Sequence, residues 1–300
     1  MAIKVILNPA AGRGYGSKAE PLIQGYLQEA GLDFELARTR GLWDAAELAQ
    51  RAAEDGFDLV VAAGGDGTSN EVVNGLLAAG EGASAAMGVL PVGTGSDFAN
   101  AVGVPPDLRE ACLRLRDGQR RLVDVGLARL PGQAPRYFAN ALGIGFEGVL
   151  TVEARKFKHL RGMALYLPAV LKTTFVSFKV PTVTITVDGE RLELPALMVC
   201  IANGPREGGG FFVAPGAQPD DGLFDICIAR KVSKLGILGL LPHYMKGTHV
   251  GRDPIRMLRT TQIVVSSPDD LAAHMDGELL CVDGHEIACQ ILPQRLPVVC

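Results

Sequence analysis

Histidine is scarce in this chain, and its cysteines show no arrangement that does chemistry. The five histidines (His159, His243, His249, His274 and His285) are scattered. The six cysteines (Cys112, Cys200, Cys227, Cys281, Cys289 and Cys300) form no CxxC pair and no metal-ligand spacing, which excludes a zinc ribbon or a disulfide framework. Cys200 and Cys227 lie in apolar strand-like runs and read as reduced core thiols of a cytosolic protein. No apolar run reaches membrane-spanning length, because Lys, Pro or Gly break the longest ones. Charge of one sign is also lacking. The 29 Lys and Arg against 33 Asp and Glu leave a net −4, so there is no global electrostatic case for nucleic acid. A GxxxxGK(S/T) loop, a GxGxxG fingerprint with its downstream acid, and a Ser/His/Asp arrangement are all missing. Internal repeats and low-complexity tails are absent, and Met1–Pro9 turns too early for a signal peptide.

What is present is apolar mass. The chain is 48% hydrophobic over 300 residues, enough for a sizeable core in two domains or one large one. Its mean hydropathy of +0.20 excludes disorder. The organising stretch is Leu59-Val60-Val61-Ala62-Ala63-Gly64-Gly65-Asp66-Gly67-Thr68-Ser69-Asn70-Glu71. Five apolar residues bounded by glycines read as a buried strand, and a helical pattern follows directly. Thr68 with Glu71 three residues on has capping-box spacing. Strand, glycine turn and helix N-terminus together make an anion site, where bare N–H groups and the helix dipole meet a phosphate. Asp66 would repel that phosphate unless Mg²⁺ sits between them. The competing reading is a tight turn with a solvated Asp.

The first 120 residues alternate strands and helices, which implies a parallel α/β sheet. Strands are expected at 3–7, 33–39, 59–63 and 86–91, and helices at 17–30, 44–53, 68–79 and 108–116. Three loops at strand ends carry Asn8–Gly14, Gly64–Thr68 and Gly93–Asp97, the edge where open α/β sheets bind ligands. The pattern changes near Arg121. Strands follow at 123–128, 182–187, 197–202, 223–229, 263–266, 274–282 and 286–291, with helical insertions near 160–176 and 233–246. Asp188-Gly189 is a hairpin signal. The expected architecture is a three-layer α/β domain over residues 1–122 and a β-rich domain over 123–300, whose last residues pack back on the first.

The motifs, in this order, resemble the diacylglycerol kinase catalytic family: bacterial soluble lipid kinases, eukaryotic diacylglycerol kinases and sphingosine kinases. NAD kinase and phosphofructokinase are similar more distantly, through the GGDG turn. The resemblance rests on Asn8-Pro9-Ala10-Ala11-Gly12, Gly64–Thr68, Gly93–Ala99, Val123–Gly126, Asn140–Phe146, Ala202–Ala217, Asp221–Asp225 and Met275-Asp276-Gly277-Glu278. It implies an α/β nucleotide domain, a β-rich sandwich-like domain and an active site in the cleft between them. It further implies that Asn8, Pro9, Ala10, Ala11, Gly12, Thr39, Gly64, Gly65, Asp66, Gly67, Thr68, Ser69, Asn70, Gly93 and Thr94 line the ATP site. Asp66, Asp97 and Asp124 match acidic positions linked to Mg²⁺ and water. Asp221, with the Gln218 and Leu223 carbonyls, matches a separate structural Mg²⁺ or Ca²⁺ site. Asp276 and Glu278 match the position of the catalytic base, with Glu278 first and Asp276 second; the sphingosine kinase branch implies Asp66 instead. An Asp-Gly-Glu triplet alone says little, since Asp188-Gly189-Glu190 is another, inside a hairpin. Ser96 and Glu147 stand where many relatives carry Asn and Asp.

Residues 150–180 carry Arg155, Lys156, Lys158, Arg161, Lys172 and Lys179 against Glu153 alone, with apolar residues interleaved. Such a segment fits an anionic membrane surface, or a core-packing helix with a solvated basic face. The expected protein is a cytoplasmic, peripheral lipid kinase using ATP and Mg²⁺, with diacylglycerol as first acceptor and no nucleic-acid partner. Phosphatidylglycerol, a sphingoid base, a soluble acceptor, a weakly active binding regulator and pairing into a homodimer stay open.

Overall fold

The computed structural model describes residues 1–80, 84–93, 95–157, 163–177 and 179–300. The chain divides into two compact units, Met1–Val125 with Pro293–Cys300, and Gly126–Leu292.

The first unit runs β1 (Ile3–Leu7), α1 (Ala11–Glu29), β2 (Phe34–Arg38), α2 (Asp44–Glu54), β3 (Leu59–Gly64), α3 (Asp66–Ala78), β4 (Ala86–Pro91), α4 (Asp97–Ala101) and α5 (Leu108–Asp117), then enters β5 (Arg120–Arg129). The strand order is β4-β3-β1-β2, and all three pairings are parallel, with Val5 opposite both Leu36 and Val61. Every residue of β3 is buried. Successive side chains of a strand point to opposite faces, so a strand buried at every residue has both sheet faces covered. The covers are helices: α2 packs on α3, and α1 packs on α5. Two helices begin elsewhere than expected. Regular α1 is preceded by three left-handed residues, Gly12, Arg13 and Gly14. The third helix starts at Asp66 with Gly65 as its N-cap and no side-chain cap, so Thr68 is inside it. Glu71 does not close a capping box; its Oε2 accepts the Ala45 N–H at 3.1 Å, at the start of α2.

The second unit contains β6 (Arg136–Phe138), β7 (Ala141–Gly145), α6 (Phe146–Ala154), α7 (Met163–Lys172) running into a π turn (Thr173–Ser177), β8 (Thr182–Val187), β9 (Glu190–Ala202), β10 (Phe224–Arg230), α8 (Lys234–Lys246), β11 (Ile255–Thr260), β12 (Gln262–Met275) and β13 (Glu278–Val299). Its strands follow the order β11-β10-β9-β7-β12-β13, with β8 beside β9 and β12. Parallel pairing does not extend here: the pairs among these strands are antiparallel. Ile144, Val183, Val199, Ile226, Val265 and Ile287 come from six strands into one core, each worth about 1.5–3 kcal/mol when buried. Leu197, Met198 and Cys200 of β9 face a second core with Ile237, Leu240 and Tyr244 of α8.

The expected strand 274–282 is two strands, broken by Asp276 (φ 47°) and Gly277 (φ 81°). Met275 pairs with Glu278, so this is a two-residue hairpin with positive φ at both turn positions. The expected strand at 286–291 is part of β13. That strand continues to Val299, where Val298 pairs in parallel with Met87 of β4 in the first unit. Helix α6 has no counterpart in the sequence reading.

Candidate functional site

The three glycine loops of the first unit meet at the carboxyl ends of β1, β3 and β4. Gly64 carbonyl oxygen accepts N–H bonds from Val92 at 3.0 Å and Gly93 at 2.9 Å. A Cβ on Gly93 would lie 2.3 Å from Gly65 Cα, and one on Gly12 would lie 2.7 Å from the Val92 carbonyl oxygen. Only glycine permits backbones this close. Asn8 joins the first loop to the second: its Oδ1 accepts from Ala10 N–H and its Nδ2 donates to Thr68 Oγ1, each at 3.0 Å. Thr39 N–H donates to the Leu7 carbonyl at 2.9 Å, which holds Thr39 against the end of β1.

Of the expected ATP-site residues, Pro9, Ala10, Ala11 and Gly12 lie on the first loop and Gly64 to Gly67 on the second. Thr68, Ser69 and Asn70 are buried within α3, so Gly65, Asp66 and Gly67 present the accessible surface there. Thr94 lies outside the described residues. The N-terminus of α3 has no side-chain cap, and its first N–H groups form a cradle suited to an oxyanion.

Asp66 is the first residue of α3, and its Oδ1 accepts the Phe98 N–H at 3.1 Å. It therefore caps α4, the helix that opens from the third loop. That bond holds the carboxylate between the second and third loops. Asp97 and Asp124 are buried. Asp124 Oδ1 accepts the Gln294 N–H at 2.7 Å, tying β5 to the returning end of β13.

Asp276 and Glu278 belong to the second unit and separate sharply in environment. Asp276 is 4% exposed. Its Oδ1 accepts N–H bonds from Asn140 at 3.0 Å and Ala141 at 2.9 Å, and its Oδ2 accepts one from Ala139 at 2.9 Å. Three amides thus anchor it to the 139–141 corner. Glu278 begins β13 with a 37% exposed side chain, and its Oε2 meets Arg155 Nη2 at 2.6 Å. Arg155 caps the end of α6, 123 residues away in sequence, so no local signal points to it. Asp188-Gly189 makes the same left-handed turn as Asp276-Gly277. The two triplets differ in burial and in the amides around Asp276, not in turn geometry.

The metal set expected at Gln218, Asp221 and Leu223 does not fit as the side chains stand. Asp221 Oδ1 accepts the Leu223 N–H at 3.1 Å, and its Oδ2 pairs with Arg259. Arg259 Nε also stands 3.4 Å from Asp225 Oδ2. A guanidinium supplies the positive charge that a cation would bring, and the sequence reading missed it.

The diacylglycerol kinase catalytic domain model matches residues 2–128. A diacylglycerol kinase of Bacillus subtilis is 31% identical, covering 92% of this chain and 89% of the relative. This chain belongs to the diacylglycerol kinase family. A second family model, described as the YegS C-terminal NAD kinase beta sandwich-like domain, matches residues 140–300. A YegS-like lipid kinase of Chromohalobacter salexigens is 32% identical, over 85% of this chain and 80% of its own length. A crystal structure assigned to a diacylglycerol kinase of Bacillus anthracis superposes with a TM-score of 0.80 at 27% identity, over 99% of this chain and 96% of that one. As a member of this family, the chain is a lipid kinase.

Proposed function

We propose that the chain transfers the γ-phosphate of ATP to the free hydroxyl of diacylglycerol, yielding phosphatidic acid. The observation that carries the reading is the glycine cradle at the uncapped start of α3, which suits the phosphates of a nucleotide. In this reading Asn8, Thr39 and the backbone of Gly64–Gly67 and Gly93 hold ATP. Asp66, Asp97 and Asp124 offer the hard oxygen ligands that Mg²⁺ takes. Bound there, the ion would neutralise charge on the transferring phosphate. Glu278 accepts the proton of the attacking hydroxyl, with Arg155 orienting its carboxylate; Asp276 fixes the turn that presents it.

The membrane-facing part of the proposal rests on an exposed apolar strip. Leu167, Leu171, Phe175 and Val176 are exposed, Val176 at 77%, and Leu235 is 75% exposed. Lys234 Nζ stands 5.6 Å over the Phe175 ring and donates to the Phe175 carbonyl at 3.0 Å, joining α8 to this strip. The strip with its lysine suits an anionic lipid surface. Much of the basic stretch is spent internally: Arg155 pairs with Glu278, and Lys156 and Lys172 both pair with the buried Glu153. Lys158 and Arg161 lie outside the described residues. Apolar insertion therefore outweighs charge in this reading. No helix among the described residues is long and apolar enough to cross a membrane. All six cysteines are free, which agrees with the proposed cytoplasmic, peripheral location.

γ-Labelled ATP with Mg²⁺ and a panel of lipid alcohols in mixed micelles tests the acceptor. Diacylglycerol is expected to take the most label. Preferential labelling of phosphatidylglycerol, a sphingoid base or a soluble alcohol would replace it.

A further inference from the structure

The second unit carries a buried polar cluster with no part in the reaction described above. Glu147 lies in the first turn of α6, Glu207 in the loop after β9, and His274 on β12. One ligand atom from each residue falls within 4.8 Å of the other two. His274 has a 2% exposed side chain, and its Nε2 stands 2.6 Å from Glu207 Oε1. Glu147 Oε2 is sealed from solvent, and the Cys200 thiol is the donor beside this carboxylate. The floor of the cluster is Gly143 on β7, which pairs with His274 across the sheet. A Cβ on Gly143 would lie 2.3 Å from Glu147 Oε2 and 2.5 Å from His274 Nε2. Both atoms thus converge on space that any side chain at 143 would fill.

We propose that Glu147, Glu207 and His274 form a binding site for one divalent transition-metal ion of the Zn²⁺ or Mn²⁺ class. Two carboxylate oxygens and one imidazole nitrogen are a donor set for such ions, whereas Mg²⁺ and Ca²⁺ take oxygen. Two carboxylates and a neutral imidazole carry −2, which a divalent ion cancels where water is nearly excluded. With no ion bound, protons take that place, and an entering ion would displace them. Burial, and then the charge of Glu207, push the Glu147 carboxyl up to about 8. Burial works to lower His274, but Glu207 overcomes it and holds the imidazole up at about 9. Cys200 on β9 brings its thiol 3.7 Å from Glu207 Oε2, beside the cluster. The bound ion would tie β7, β12, the start of α6 and the loop after β9 together. Since β12 ends at Met275, the clamp sits at the root of the turn that presents Glu278. The site stands on its own geometry and does not depend on which alcohol is phosphorylated.

The test is metal retention by the full chain, stripped with chelator, titrated with Zn²⁺ or Mn²⁺ alone, desalted, and counted by mass spectrometry. One ion per chain is expected, with ligand-field absorption when Co²⁺ is substituted. Glu207→Gln and Gly143→Ala should weaken binding at least tenfold, with folding verified by circular dichroism. Asp221→Asn should retain the ion, because Asp221 lies outside the cluster. A wild-type chain that retains no ion would overturn the proposal. So would equal retention by Glu207→Gln and Gly143→Ala, or loss of the ion in Asp221→Asn alone.

Discussion

At Asp276 the backbone is left-handed and the carboxylate gathers three amides. Replacing it with Ala strips three bonds to a charged group, each worth about 1.5–3 kcal/mol, and leaves the amides buried without partners. It also places a Cβ-bearing residue with no compensating polar group at positive φ. Asp276→Ala is expected to lower unfolding stability by about 3 kcal/mol or more, read from the urea midpoint. Glu278→Gln removes a charge at a partly exposed ion pair and should move the same midpoint by less than about 1 kcal/mol. Equal midpoints for the two variants would contradict the division of labour between anchor and proton acceptor. These long-range bonds were not legible in the sequence. The triplet Asp276-Gly277-Glu278 and its twin at 188–190 look alike, and the amides that separate them come from residues 135 or more positions away.

The elements closest to the nucleotide loops are held by backbone against backbone, which makes glycine replacement a sharp probe. In Gly93→Ala the new methyl would meet Gly65 Cα at 2.3 Å, so the second and third loops must part. ATP affinity is expected to fall at least tenfold in a filter-binding or calorimetric titration; wild-type affinity would show that the loops do not form the cradle. Helix α8 offers a pH probe. His249 is fully buried, stacks on Tyr244 at 4.1 Å between ring centroids, and places Nε2 3.2 Å from the Val213 carbonyl. Burial lowers its pKa below 6.5. The native state then binds fewer protons than the unfolded chain, so this contribution is complete above pH 6.5 and is lost as pH falls towards the native pKa. The slope is at most about 1.4 kcal/mol per pH unit for one proton. Denaturation between pH 6.5 and 5 should show that loss, and His249→Gln should flatten it. The glycine turns and the switch from α/β to β were legible because each has a local cause, apolar period and turn chemistry; the capping pair Thr68 and Glu71 misled, since Gly65 opens α3. Helix α6 was not legible, because its first turn, Phe146-Glu147-Gly148, contains a glycine and no cap. Nor was the full length of β13, which runs past Pro293 and Pro297.

Across the whole molecule the chain forms two compact units, and β5 and β13 pass from one into the other. The sequence reading sets the change near residue 122; the compact units divide after Val125. The partners of Arg155 and Lys172, Glu278 and Glu153, lie too far along the chain to be read locally. The exposed strip predicts a particular membrane behaviour. In vesicle flotation with anionic lipid, Val176→Asp and Leu235→Asp should reduce binding more than raising salt does. Binding abolished by salt and indifferent to both substitutions would assign the interaction to charge instead. The central claim concerns phosphoryl transfer itself. γ-Labelled ATP, Mg²⁺ and diacylglycerol are incubated with the wild-type chain and with Glu278→Gln, and label in phosphatidic acid is measured. Wild type should label the lipid, and Glu278→Gln should do so about 10²- to 10⁴-fold more slowly. A wild-type chain that labels no lipid would contradict the lipid-kinase account; a Glu278→Gln chain at the parental rate would remove Glu278 as the proton acceptor.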